Sequence, residues 1–319
     1  SWCLSTFCAN RCAPNCIEVP KPQDGSQTMT GSPIYRDYDQ DALNLQYNAR
    51  AAVPDHLDLI EAWSSDSTRA RQELPCRLDV AFGPSPQEVL VIFPADDASG
   101  PAPVQVFFHG GYWRAFHKDD FSFLARAFAP KGAAVVVVNY ALIPTIDMDE
   151  LVRQCRAALG WVHRNAASFG GDAERVFVSG HSAGGHLVAT MMATDWPAFD
   201  GLPNDILKGG CSVSGLFDLE PIRLGILNEE LSLSTDDVAR HSPLHLEPRV
   251  AAPLILAVGG DESDEFHRHG DELAAAWGSK GAECRVLKMA GLNHFSILEG
   301  MRDPESALAQ AIHDQMGIG

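Results

Sequence analysis

The stretch Arg175-Val176-Phe177-Val178-Ser179-Gly180-His181-Ser182-Ala183-Gly184-Gly185-His186-Leu187 decides how this chain is read. Residues 175–179 have the apolar, β-branched character of a strand, and residues 183–194 have the small and apolar composition of a helix packed from its first turn. Gly180-x-Ser182-x-Gly184 therefore falls on a strand-to-helix turn, the setting in which this pattern carries chemistry. So sharp a turn forces the serine into strained dihedrals, and side chains at the flanking glycines would strike the strand or the helix. Ser182 is then presented at a helix N-terminus, where backbone N–H groups stabilise developing negative charge, and it is the candidate nucleophile.

The same alternation extends in both directions. Strand-like runs occupy residues 77–82, 88–93, 104–108, 134–138, 210–214, 253–258 and 283–289. Helical spacing covers residues 39–50, 55–71, 119–130, 147–168, 266–277 and 304–315. Residues 104–108 and 134–138 are almost wholly apolar, as strands buried on both faces are. The first two runs are separated by Gly83-Pro84-Ser85-Pro86, a turn that predicts an antiparallel edge. The pattern implies an α/β fold: a mostly parallel eight-stranded sheet with helices on both faces, preceded by an N-terminal helical segment. No internal repeat is visible, and a single domain over residues 34–319 is expected.

Composition narrows the function classes. Among 319 residues, 42 Asp and Glu outweigh 24 Lys and Arg, for a net charge of -18. That balance disfavours nucleic acid and anionic membranes as partners. No apolar run approaches the roughly 20 residues needed to span a bilayer. Cys76, Cys155, Cys211 and Cys284 are scattered in the manner of reduced core cysteines, which predicts a cytoplasmic protein. Cys3, Cys8, Cys12 and Cys16 crowd the start without the paired spacing of common zinc sites. Residues up to about Thr28 are read as an unrelated leader with Met29 as the native start, and residues 1–33 as a whole as a lead-in outside the domain.

An acyl-transfer site needs oxyanion donors, a base and an acid. Phe107-Phe108-His109-Gly110-Gly111-Tyr112-Trp113 follows a buried strand, and its paired glycines let the main chain approach a substrate. Gly111, helped by Gly110, is expected to donate alongside the N–H of Ala183, with His109 anchoring the loop. Twelve histidines compete for the base. His294 is favoured because Ala290-Gly291-Leu292-Asn293-His294-Phe295 joins the last strand to the final helix, while His163, His181, His186, His241, His245, His267 and His269 lie beside the turn or in helical and connecting segments. The acid is expected after residues 253–258, in Gly259-Gly260-Asp261-Glu262-Ser263-Asp264-Glu265-Phe266. Asp264 and Glu265 suit the first turn of the following helix, which leaves Asp261 and Glu262 open. Tyr112, Trp113, Tyr140, Phe266 and Phe295 border these loops and are expected to line an aromatic pocket.

From about Tyr35 to its C-terminus the chain resembles the α/β-hydrolase fold, and within it the kynurenine formamidase (arylformamidase) branch of the esterase/lipase group. His109-Gly110-Gly111-Tyr112-Trp113 and Gly180-His181-Ser182-Ala183-Gly184-Gly185-His186-Leu187 carry most of the likeness. Gln46-Tyr47-Asn48-x-Arg50, Ser214-Gly215-Leu216-Phe217-Asp218-Leu219-Glu220-Pro221 and Asn293-His294-Phe295 add to it. The branch often reads Asp-Ser-x-Glu-Phe where this chain reads Glu262-Ser263-Asp264-Glu265-Phe266, so the resemblance puts Glu262 at the acid position, with Asp261 the alternative. The first expectation is a serine carboxylesterase acting on short-acyl, including aryl, esters. The resemblance implies an alternative, an arylformamidase hydrolysing N-formyl-kynurenine. A non-catalytic binding protein on the same fold ranks last, because each triad member has a candidate. No metal or organic cofactor is called for, the expected partner is a small ester or formamide, and a homodimer stays open.

Overall fold

The computed structural model describes residues 31–95 and 100–319. The lead-in, apart from its last three residues, lies outside them. The strands are β1 (Arg77–Ala81), β2 (Val89–Phe93), β3 (Ala102–Phe108), β4 (Ala134–Val138), β5 (Gly171–His181), β6 (Gly209–Val213), β7 (Leu254–Gly259) and β8 (Cys284–Met289). They make one sheet in the order β1-β2-β4-β3-β5-β6-β7-β8. β2 pairs antiparallel with both β1 and β4, and the pairs from β4 through to β8 are all parallel. At the outer edge the β1–β2 register slips between Arg77 and Val80, where Asp79 adopts a positive φ of 50°.

Side-chain alternation divides the core in two. Leu90, Ile92, Val104, Val106, Val136 and Val138 enter one cluster, while Val91, Phe93, Phe107, Val135, Val137 and Phe177 enter another. This is the period-2 geometry of strands buried on both faces. Three helices precede the sheet: α1 (Gln40–Gln46), α2 (Ala49–Ala52) and α3 (His56–Glu73). α4 (Ala125–Phe128), α5 (Met148–Asn165), α6 (Ala183–Met192) and α7 (Trp196–Asp200) lie between strands. α8 (Glu220–Leu224), α9 (Asn228–Leu231) and α10 (Thr235–His241) separate β6 from β7. α11 (Asp264–Gly278) follows β7, and α12 (Glu299–Arg302) and α13 (Ala307–Met316) close the chain. Leu151 of α5, Leu187 of α6 and Trp277 of α11 belong to the first cluster, whereas Trp63 of α3, Phe128 of α4 and Ile312 of α13 belong to the second.

Several segments depart from the sequence reading. The single helix expected over residues 39–50 is parted at Tyr47 and Asn48 into α1 and α2, and α7 and α12 were not expected. The continuous helix expected over residues 119–130 is instead three 3-10 turns, Lys118–Asp120, Ser122–Leu124 and Ala129–Lys131, around the single turn of α4. Local polar groups capture the backbone there: the N–H of Lys118 donates to Asn139 Oδ1 (3.2 Å) and that of His117 to Asp120 Oδ2 (3.1 Å). The helices α8 to α10 were not expected. Each is seven residues or shorter, too short for a 3.6-residue period to stand out in sequence.

The start of α6 meets the ends of β3 and β5 backbone to backbone. A Cβ on Gly184 would lie 2.0 Å from the carbonyl oxygen of Phe108, and one on Gly180 would lie 2.3 Å from that of Gly184. Gly184→Ala is therefore expected to lower the urea midpoint by the equivalent of about 3 kcal/mol. Gly270→Ala in α11, where a Cβ meets nothing within 4 Å, should leave the midpoint unchanged or raise it slightly.

Candidate active site

Every expected site residue sits at or just past the carboxyl end of a parallel strand, the edge at which open α/β sheets bind ligands. Ser182 joins β5 to α6 with φ +57° and ψ -117°, and its N–H donates to Val213 O (2.8 Å). This is a strained conformation for a residue with a side chain, imposed by the turn. His294 Nε2 lies 3.1 Å from Ser182 Oγ, and His294 Nδ1 lies 2.6 Å from Glu262 Oε2. Glu262 Oε1 accepts from Ser214 Oγ (2.5 Å) and from the N–H of Gly259 (2.7 Å). A carboxylate partner at Nδ1 puts the ring proton there and leaves the Nε2 lone pair facing the serine. Of the two acids left open by sequence, Glu262 is the one brought to His294. Asp261 is exposed, and its N–H donates to Leu292 O (3.0 Å).

The loop after β3 runs against this turn. A Cβ on Gly110 would lie 2.8 Å from His181 O and 3.1 Å from Ser182 Cβ, so only glycine fits. Gly111, Tyr112 and Trp113 all take positive φ, at 103°, 48° and 57°. Several bonds hold this unfavourable path. The indole N–H of Trp113 donates to His186 Nδ1 (3.2 Å), Tyr112 Oη donates to Tyr47 O (2.7 Å), and Tyr140 Oη donates to His109 O (2.7 Å). The His109 ring is stacked on Tyr140 at 4.3 Å on one side and on Phe121 at 5.8 Å on the other. Burial pushes its pKa down to about 4, so it supports the loop as a neutral ring. Ala183 opens α6, and the first N–H groups of a helix have no partner within it.

The five aromatic residues expected around a pocket divide. Phe266 borders a small cavity beside His294, whose other walls include Leu45, Ala49, Ala52 and Val53 from the N-terminal helices. Its ring packs on His294 with centroids 4.5 Å apart. Phe295 is buried against Trp63 (5.9 Å). Tyr112 is partly buried and spans to the end of α1. Trp113 and Tyr140, in contrast, are wholly buried. Their rings brace the loop from within: the left-handed backbone at positions 112 and 113 accompanies the inward turn of Trp113, and Tyr140 reaches the loop from the end of β4.

Three contributors carried no role in the sequence reading. Ser214 and Gly259 hydrogen-bond Glu262, and His181 Nε2 donates to His294 O (2.8 Å). Desolvation holds His181 well below the usual histidine range, so it stays neutral beside the His294 ring 4.8 Å away. Glu265, expected as a capping charge, is instead buried and paired with Arg268 (2.7 Å). Asp149, Asp237 and His241 are close enough together to share a metal ion. Arg240 already bridges the two carboxylates, at 3.0 and 2.5 Å.

Comparison with known proteins agrees with this architecture. The BD-FAE family profile matches residues 90–208. Kynurenine formamidase of Danio rerio is 31% identical over 89% of this chain and 98% of its own length. The chain belongs to the kynurenine formamidase family of α/β-hydrolases. The Salmo salar enzyme of the same name is 29% identical with the same coverage. Among solved structures, a Silicibacter protein proposed to be a thioesterase is 30% identical, with a TM-score of 0.74 over 85% of this chain and 98% of that one. The metagenomic carboxylesterase EstE1, at 20% identity and a TM-score of 0.63, covers 83% of this chain and 98% of its own, and shares the fold. The protein is thus an esterase-type hydrolase. Among the described residues no helix is long and apolar enough to cross a membrane.

Glu262→Gln is expected to lower kcat by about 10²- to 10⁴-fold, because an amide no longer stabilises the imidazolium and can favour the wrong tautomer. Asp261→Asn should stay within about twofold, since the side chain lies outside the hydrogen-bonded chain. Buried histidines also set a pH limit. His109 and His186 titrate near about 4 and about 3 because burial disfavours their charged form, while an unfolded chain takes up those protons near pH 6.5. Their contribution is complete above about pH 6.5 and is lost as pH falls towards 4, at about 1.4 kcal/mol per pH unit for each histidine. Urea midpoints measured at about pH 7, 6 and 5 should therefore fall increasingly steeply; a flat profile would contradict the burial argument.

Proposed function

We propose that the protein hydrolyses short-acyl carboxylic esters through an acyl-enzyme on Ser182. His294 takes the Ser182 proton as the oxygen attacks the substrate carbonyl, and Glu262 stabilises the imidazolium that forms. The N–H groups of Gly111 and Ala183, with Gly110 giving the loop its close approach, are assigned to the oxyanion. His294 then protonates the leaving alcohol, and water, deprotonated by the same imidazole, releases the acid. The observation that carries this reading is the unbroken chain Ser182–His294–Glu262, with both other bonds to Glu262 supplied by Ser214 and Gly259.

A second reading is arylformamide hydrolysis, with an amine as the leaving group. It is favoured by the match to a fish kynurenine formamidase over 98% of that enzyme's length. The two readings share every catalytic step and differ in what the cavity beside His294 accepts.

A fluorophosphonate probe should label the protein once, at Ser182, and Ser182→Ala should lose label and at least about 10⁴-fold in kcat. Labelling elsewhere, or an active Ser182→Ala protein, would sink the nucleophile assignment. Comparing kcat/KM on N-formyl-kynurenine and on short p-nitrophenyl esters separates the readings. A formamide preference above about 100-fold, roughly 2.7 kcal/mol, replaces the ester reading by the second.

A further inference from the structure

The last two positions before and at the C-cap of α1, Gln46 and Tyr47, touch three of the loops that build the candidate site. The main-chain carbonyl of Tyr47 accepts the hydroxyl of Tyr112, next to Gly111 (2.7 Å). The carbonyl of Gln46 accepts Ser263 Oγ, next to Glu262 (2.7 Å), and Gln46 Oε1 accepts the N–H of Glu265 (3.2 Å). Tyr47 Oη donates to Glu265 Oε2 (2.7 Å) and lies 3.0 Å from His269 Nε2. His269 Nδ1 accepts from the N–H groups of Phe217 and Asp218, at 3.0 and 3.2 Å. Its proton is thereby placed on Nε2, directed at Tyr47. Those last two residues continue the loop that presents Ser214 to Glu262.

Ser263 adds a second, independent sign. It occupies the N-cap of α11, where a serine hydroxyl ordinarily accepts a bond from the first turn. Here it makes no such bond and reaches to Gln46 instead. Its polar group serves the connection between α1 and the acid loop. Neither Tyr47 nor Ser263 reaches the Ser182–His294 pair by any hydrogen bond.

We propose that the Gln46-Tyr47 pair is a positioning element that sets the acid loop and the oxyanion loop at their working separation, with Tyr112 and Ser263 as its two arms. The assignment rests on the acyl-transfer reading above. A change at either arm leaves the hydrolytic groups in place and alters their alignment, which acts on kcat more than on KM.

The test uses the full chain. Tyr112→Phe deletes one hydroxyl and is expected to lower kcat about tenfold or more, with KM within about twofold and fluorophosphonate labelling slowed in parallel. Ser263→Ala is expected to lower kcat to a similar extent and to move the acid limb of the kcat/KM profile to lower pH, because a loosened Glu262 supports the protonated His294 less well. Ser263→Thr keeps the hydroxyl and should restore both. If both deletions leave kcat and the acid limb unchanged while the parent protein is labelled at Ser182, the positioning assignment is overturned alone, whatever their melting temperatures. If the parent is not labelled, the acyl-transfer reading falls and the assignment falls with it.

Discussion

The site depends on how closely the end of β3 can approach the start of α6. At Gly184 the main chain of one element rests on the carbonyls of Phe108 and His109 of the other, with no room for even a methyl group. That contact fixes the turn carrying Ser182 against the loop carrying Gly110 and Gly111. Had either surface carried a side chain, the two would stand apart by the width of a carbon atom. The N–H groups proposed as oxyanion donors would then miss an oxygen they must meet within about 3 Å. The strained dihedrals at Ser182 and at positions 111–113 are the local expense of that approach. The stacked rings of Phe121, His109 and Tyr140 and the Trp113–His186 bond hold it in place.

Around that contact burial keeps His109, His181 and His186 neutral. His181 lies with its ring 4.8 Å from that of His294, close enough that a charge on it would oppose imidazolium formation at His294 by about 3 kcal/mol at an effective dielectric of about 20. Desolvation removes that charge, and the ring's proton is directed to the backbone carbonyl of His294 instead. The same burial makes His109 and His186 neutral struts. One physical effect thus serves both electrostatics and mechanics at the centre of the molecule.

Much of this was legible in sequence, for reasons that differ by residue. Ser182 is legible because its turn needs glycines at fixed offsets between a β-branched run and a helix, all within a few residues of chain. His294 is legible by its place after the last strand. The choice of Glu262 over Asp261 came from the family register, since both lie in the same short loop. Ser214 and His181 are not legible, because their partners are 48 and 113 residues away in sequence. Trp113 reads as pocket lining because it borders a functional loop, yet with positive φ at 113 it is wholly buried in the core. The expected eight strands appear, whereas the short helices between β6 and β7 escaped a reading that relies on periodicity over longer windows.

The outer strand β1 has a consequence of another kind. An open sheet invites a neighbour's strand onto its edge, and a flat, apolar edge is where fibres begin. β1 carries Arg77 and Asp79, is largely exposed, and breaks register where Asp79 twists into the left-handed region. A strand so kinked and charged offers an incoming chain no continuous ladder of N–H and C=O groups. The irregularity at residue 79 thus guards an enzyme built on a large hydrophobic sheet against polymerising through its first edge.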